Sequence, residues 1–168
     1  MGILDFQPFT DEDLAPPAPR DLPKGDYKCV LIQTDLDRKD NGTQIVLRWG
    51  EYSTLEGGDT VIDPGDGKEV VLGNRVMFQR EWITHNNPQA QDIGRRRLTQ
   101  IAKAFGLTDV TTGGDGKEAH CLPNVDSEDE LVELFGGMID TPIKQYVARK
   151  KRKDTGEMES VVGSVTAL

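Results

Sequence analysis

The chain has 168 residues, of which 36% are apolar and 29% are charged, and its formal net charge is −9. It can bury one hydrophobic core, no apolar run is long enough to cross a bilayer, and its acidic start is unlike a secretory signal. Cys29 and Cys121 lie far apart without metal-ligand spacing. They indicate two buried thiols in a reducing compartment, so we expect a soluble, cytoplasmic, single-domain protein.

Residues 1–24 are predicted to form an acidic, proline-rich tail. The stretch "LAPPAPRDLPKG" holds too many prolines for a helix or a central strand, and "DFQPFTDEDL" mixes acidic with apolar residues. Two interpretations stay open: a disordered lead-in, or a short peptide that docks on a basic partner. Residues 25–168 are predicted to be the folded domain.

Three strands are predicted first, in "DYKCVLIQTDL", "QIVLRWGEY" and "NRVMFQREWIT". Asn41-Gly42 predicts a two-residue turn between the first two. In the second strand Ile45, Leu47 and Trp49 share one face, and if that face is the core, the intervening arginine points outward. In the third strand, alternation places four residues on one face: Val76, Phe78, Arg80 and Trp82.

Helical signals follow the third strand. Asn87 can cap a helix at about 88–105, Pro88 suits its first position, and Gly106 suits the left-handed position after it. An acidic insert at about 109–137 holds eight acidic residues against one lysine and ends in a short helix, which begins with a Ser-x-x-Glu capping box. Two last strands, "TPIKQYVARKK" and "MESVVGSVTAL", flank a turn.

This order predicts a mainly β fold. Five antiparallel strands, with a helix between the third and fourth and a short helical insert, have the connectivity of an OB-like barrel. In such barrels, the face of strands 2 and 3 and the loops 1–2 and 4–5 bind oligonucleotides.

Five consecutive cations, Arg149–Lys153, are predicted to lie in the 4–5 loop of this acidic chain. They are either a solvated hairpin tip that discourages strand pairing or a loop that tracks phosphates. Three arginines at 95–97 are, in the same way, either a solvated helix surface or an extension of a basic track.

Three stretches of the chain resemble a bacteriophage family of small OB-fold proteins that bind single-stranded DNA. They are "LPKGDYKCVLIQTDL", "NNPQAQDIGRRRLTQIAKAFGL" and "GEMESVVGSVTAL". The resemblance implies sequence-independent binding of single-stranded DNA during phage replication or recombination, in the host cytoplasm. It supplies no contact residues, so the candidate site rests on charge and strand alternation. The candidates are Arg48, Arg80, Trp82, Lys144, Tyr146, Arg149, Lys150, Lys151, Arg152 and Lys153. Trp49 and Tyr52 are weaker candidates as stacking platforms.

Neither catalysis nor a metal is predicted. His85 and His120 are isolated, and no nucleophile, zinc or phosphate-loop motif is present. We therefore expect a protein that is not an enzyme and has no cofactor. Besides single-stranded DNA, host or phage replication proteins are candidate partners of the acidic N-terminal segment, and a homo-oligomer stays open. Two alternatives remain: an OB-like interaction module that acts as a recombination or replication accessory factor, and a structural virion component.

Overall fold

The computed structural model describes residues 22–168, together with Pro8, Thr10 and Asp11. The rest of the predicted tail, and with it the predicted docking of replication proteins, lies outside the described residues. Leu22 is buried in the core, and Pro23 is buried and accepts a hydrogen bond from the Tyr27 hydroxyl (2.6 Å). Residues assigned from sequence to the end of the tail therefore pack as part of the domain.

The described residues form nine strands and two helices. The strands are β1 (Gly25–Lys39), β2 (Gly42–Ser53), β3 (Thr60–Ile62), β4 (Glu69–Val71), β5 (Met77–His85), β6 (Asp109–Thr112), β7 (Glu118–Cys121), β8 (Ile143–Lys151) and β9 (Met158–Thr166). The helices are α1 (Pro88–Ala104) and α2 (Glu128–Gly136). Five strands form one antiparallel sheet in the order β5-β2-β1-β8-β9, while β3–β4 and β6–β7 are separate hairpins. The long β1 pairs with β8 through Gly25–Cys29 and with β2 from Lys28 to Lys39.

The mainly β class and the large antiparallel sheet are confirmed, but the sheet does not close into the predicted OB-like barrel. Strands β5 and β9 lie near each other as the two edges of the sheet and are not hydrogen-bonded together. Helix α1 packs against both edges, and Arg95 Nε donates to the carbonyl oxygen of Ile83 in β5 (2.8 Å). The helix covers an edge that would otherwise be open to pairing, and the sheet remains open.

The turn between β1 and β2 differs from its prediction by one residue. Lys39 pairs with Gly42, so Asp40 and Asn41 form the turn. A Cβ on Gly42 would lie 2.1 Å from the carbonyl oxygen of Thr84. The glycine is therefore required by the close approach of β5, and its φ of 155° also favours glycine.

The alternation predicted for β2 places its apolar face in the core. Ile45, Leu47 and Trp49 are fully buried. The Trp49 indole N–H donates to Gln79 Oε1 (3.0 Å), and its ring stacks on Phe105 with 6.2 Å between centroids. Because its ring and its N–H are both engaged inside the protein, Trp49 has no surface left for a base.

Tyr52 is the second aromatic candidate that the fold removes. It is 2% exposed, and its hydroxyl donates to Oε1 of the fully buried Gln145 (2.6 Å).

Burial also raises the pKa of the Cys29 thiol, which neighbours Tyr52, to about 12. Cys121 is exposed, however, so the prediction of two buried thiols is wrong for one of them. Cys121 ends β7, whose residues are largely exposed.

Both helices begin at the predicted capping residues. The Asn87 side chain accepts from the amides of Gln89 and Ala90 at the start of α1, and Gly106 after its end has φ 73°. Ser127 accepts from the Glu130 amide at the start of α2 (3.2 Å). The return bond of a capping box is displaced, because Glu130 accepts from the preceding Asp126 amide. The predicted acidic insert contains α2 and also the β6–β7 hairpin, which the sequence did not indicate.

Candidate nucleic-acid interface

The side of the sheet that faces away from the core carries two sets of candidate residues. On the first, β2 and β5 pair so that Arg48 lies opposite Phe78, Val46 opposite Arg80, and Gln44 opposite Trp82. Paired residues of antiparallel strands project to the same side, and the core residues of β2 project to the other. We name the four cationic and aromatic residues among these six the platform: Arg48, Phe78, Arg80 and Trp82.

Phe78 is the most exposed aromatic ring of the platform. It is 61% exposed, and the Arg48 guanidinium lies 5.8 Å from its centroid. Two buried polar atoms on the same side of β2, Gln44 Oε1 and Arg48 Nε, have no hydrogen-bond partner among the described residues. Buried polar atoms normally have a hydrogen-bond partner, so these two atoms have unused hydrogen-bonding capacity on the platform side of the sheet.

The other platform cation is held by an acid. Arg80 Nη1 lies 2.7 Å from Asp37 Oδ2 on β1, and Lys39 Nζ lies 3.8 Å from the same oxygen. Arg80 is half exposed, so this ion pair is screened by water and contributes little stability.

Trp82 is half buried and fixed from behind. Its ring meets the His85 ring edge to face, with 4.3 Å between centroids. A Cβ on Gly94 of α1 would lie 2.3 Å from the Trp82 carbonyl oxygen, so the helix backbone rests directly on this strand. The lack of a side chain at Gly94 lets α1 support the platform at Trp82.

The second outward set lies on β8 and the first half of β1. Lys144 lies opposite Lys28, and Tyr146 lies opposite Asp26. A Cβ on Gly163 would lie 2.8 Å from the Tyr146 ring, so that ring covers a bulge in β9. Lys150 follows on the same side by strand alternation. We name this set the lysine stripe: Lys28, Lys144, Tyr146 and Lys150.

The basic run differs from the loop that the sequence predicted. Arg149, Lys150 and Lys151 belong to β8, and only the last two cations lie in the turn. Arg152 makes two hydrogen bonds to Asp154, from Nε (3.1 Å) and Nη2 (2.9 Å), and these bonds raise its pKa. Within the described part of the chain, the other four cations of the run make no ion pair.

The predicted residues thus fall into two groups on one sheet, and β1 separates them. Arg48, Arg80 and Trp82 belong to the platform, and the other seven belong to β8 and its turn. Sequence reasoning omitted Phe78 and Lys28 from the site. Phe78 lies on the same face of the strand as Arg80 and Trp82, so strand alternation in the sequence could have identified it. Lys28 becomes relevant only through its register with β8.

Each of the three helix arginines contacts another residue of the protein. Arg95 binds the Ile83 carbonyl oxygen, Arg96 pairs with Asp92 (2.7 Å), and Arg97 lies 3.5 Å from buried Glu81. All three residues are exposed, and the Arg96 side chain is 79% exposed, so their placement fits the predicted solvated helix surface.

No family model and no curated protein matches this chain. The resemblance to the phage family remains an expectation. Helices α1 and α2 are too short or too polar to cross a bilayer. Across residues 22–168 and the three described residues before them, no group of three His, Cys, Asp or Glu side chains could hold a metal ion.

Proposed function

We propose that the protein binds single-stranded DNA without sequence preference, as an OB-like protein of phage replication or recombination. The pairing order supports the fold part of the proposal, because one long strand is shared between two halves of a five-stranded sheet. A barrel of this type need not be completely closed. The chain is proposed to act by binding alone, with no catalytic step.

The observation that carries the proposal is the exposed Phe78 ring beneath the Arg48 guanidinium. Stacking on an aromatic ring tolerates any base, since every base has a π-face, and it contributes about 1–3 kcal/mol per base. Trp82 lies four residues along the same strand, roughly 13 Å away at the usual strand rise. Arg80 projects between them, where the backbone phosphates of the nucleotides between the two stacked bases would pass.

The lysine stripe and the basic run add attraction that does not depend on base identity. Each cation that neutralises a phosphate releases counterions, so the affinity falls as salt rises. The overall charge of −9 does not prevent this, because charges farther apart than about 8 Å are largely screened at physiological salt.

The test is a titration of a fluorescent single-stranded oligonucleotide at low and high salt. Phe78→Ala should weaken binding about tenfold at both salt concentrations, because the lost stacking is not electrostatic. Ile62→Ala is the matched control, since Ile62 is equally exposed (61%) but lies on the β3–β4 hairpin. Equal affinities of the two variants, or no binding by the wild type at low salt, would rule out the proposed site.

The interaction-module alternative is favoured by one further observation. A cleft of about 490 Å³ lies between α1, the end of β5 and the segment before α2. Leu98, Leu122, Val125 and Leu131 contribute its apolar lining. An apolar cleft of this size can receive side chains of a partner protein. Capture of a replication protein that Leu122→Asp abolishes, together with absent DNA binding, would favour this alternative.

A further inference from the structure

The first described residues of the domain lie beside the basic run. The Ser160 hydroxyl donates a hydrogen bond to the Leu22 carbonyl oxygen. Ser160 is the register partner of Arg149, the first cation of the run. Leu22 is itself buried, and the next residue is bonded to Tyr27. Residues 1–21 are therefore attached to the domain at a fixed point next to β8 and β9.

The two segments that meet at this point carry opposite charges. Residues 1–21 contain five acidic residues and one arginine, with three acids consecutive at Asp11–Asp13. On the domain side, Arg149, Lys150 and Lys151 are exposed and make no ion pair within the described part of the chain. Three exposed cations that make no ion pair with residues 22–168, and an acidic segment attached beside them, are electrostatically complementary.

The length of the segment fits this surface. Eight residues separate Asp13 from Leu22, and five of them, "APPAP", favour an extended polyproline conformation. At about 3.1 Å per residue, the acidic triplet can reach roughly 28 Å from Leu22. The basic run from Arg149 to Lys153 spans at most about 13 Å, the length that five residues would have in an extended strand. Tethering also raises the local concentration of the segment to the millimolar range, which compensates for weak individual ion pairs.

We propose that the acidic segment of residues 1–21 docks on the basic run and competes there with the nucleic-acid backbone. This inference rests on the proposed function for the identity of the competing ligand, but the docking itself does not require it. The segment then lowers the apparent affinity for DNA, and it does so most at low salt, where its own ion pairs are strongest.

The experiment compares the full chain with a variant of equal length, Asp11→Asn with Glu12→Gln and Asp13→Asn. The control removes three exposed carboxylates of the insert, by Asp109→Asn, Glu118→Gln and Glu133→Gln, so that both variants change net charge equally. Oligonucleotide affinity is measured at low and high salt. Independently of DNA, the amide chemical shifts of residues 149–153 are compared between each variant and the wild type.

We expect the tail variant to bind DNA about fivefold more tightly than the control at low salt, with little difference at high salt. We also expect shift changes at residues 149–153 in the tail variant only. Unchanged amide shifts of residues 149–153, together with equal DNA affinities of the two variants, would overturn the docking. The acidic segment would then be a candidate binding site for a separate partner protein. Shift changes in a chain that binds no DNA at any salt would overturn the proposed function and retain the docking.

Discussion

The two halves of the sheet present their cations to solvent in different ways. In the β2–β5 half, Arg48 lies over Phe78 and Arg80 is bonded to Asp37, so both guanidinium groups have fixed neighbours. In the β8–β9 half, Arg149–Lys151 are exposed and make no ion pair within the described part of the chain. One half therefore offers preorganised short-range contacts, and the other offers charge that acts over a Debye length.

This difference teaches how an acidic protein can hold a polyanion. Stacking on a fixed ring changes little with salt, whereas counterion release by solvated cations varies steeply with salt. If both halves contact one ligand, substitutions in the first half should lower affinity at every salt concentration. Substitutions in the second half should change mainly the dependence of affinity on salt.

The largest expected effect comes from disrupting the contact between α1 and β5, which carries three of the four platform residues. Gly94→Ala places a Cβ 2.3 Å from the Trp82 carbonyl oxygen, so α1 must move away from β5. Overpacking of this kind costs about 1–3 kcal/mol, and the gain in helix propensity returns only part of it. We expect a clear loss of unfolding free energy in urea, with faster hydrogen exchange in β5 than in β9.

Gly73→Ala is the control for this substitution. A Cβ at Gly73 meets nothing within 4 Å, and its backbone is not in the left-handed region. Its unfolding free energy should match that of the wild type. If Gly94→Ala is equally stable, or if exchange quickens in β8 and β9 alone, α1 does not support the platform in the way described.

The local pattern of the sequence was sufficient for much of this fold. Alternation placed Ile45, Leu47 and Trp49 in the core because a strand buried on one face repeats every two residues. The caps of both helices could be read because they depend on a few adjacent residues. The β3–β4 and β6–β7 hairpins were missed because short, largely exposed strands have no clear apolar period. Closure of the sheet depends on edges far apart in sequence, which no local pattern describes.

The site was predicted less well, for a related reason. Charge density identified the basic run, but side-chain partners decide which cations are available. Arg152 is bonded to Asp154 across a turn, and Arg80 is bonded to Asp37 on another strand. Only the register of β1 reveals that Lys28 joins Lys144. Composition alone could not distinguish the paired cations from the solvated ones.

A smaller effect should follow from neutralising the second half. Replacing Arg149, Lys150 and Lys151 with glutamine should reduce the slope of log affinity against log salt by about 2, since each phosphate contact to a single strand contributes about 0.7. Arg152→Gln is the comparison within the same run. It should change the slope by less than a full contact, because its guanidinium is already bonded to Asp154. The measurement is the same oligonucleotide titration over a series of salt concentrations.

An unchanged slope in the triple variant would show that β8 does not contact the ligand, and the comparison between the halves would no longer apply. A drop in affinity that is equal at all salt concentrations would instead assign these residues a role in folding. Circular dichroism melting of the triple variant separates that case, since exposed residues of this kind should leave the melting temperature nearly unchanged.

The smallest expected effect concerns the buried polar side chains, which differ in charge between the two halves of the sheet. In the β8 half the fully buried polar side chain is the neutral Gln145, whereas the buried polar side chains of the β5 half include the acidic Glu81. Glu81 accepts from Gln79 Nε2 (3.3 Å), and Arg97 Nη1 lies 3.5 Å away. Burial raises the pKa of Glu81, and its bonds to Gln79 and Arg97 only partly offset that rise.

A carboxyl group whose folded pKa is raised favours folding while it is protonated. Its contribution is complete below the ordinary value near 4.5 and is lost as the pH rises through the higher folded pKa. Glu81→Gln should therefore raise the melting temperature slightly at pH 7, and the advantage over the wild type should vanish in acid. Glu118→Gln, at an exposed site, should change neither value. A lower melting temperature of Glu81→Gln at pH 7 would contradict this expectation. It would mean that the attraction between Glu81 and Arg97 outweighs the cost of burying the charge, so that the ion pair stabilises the β2–β5 half of the sheet.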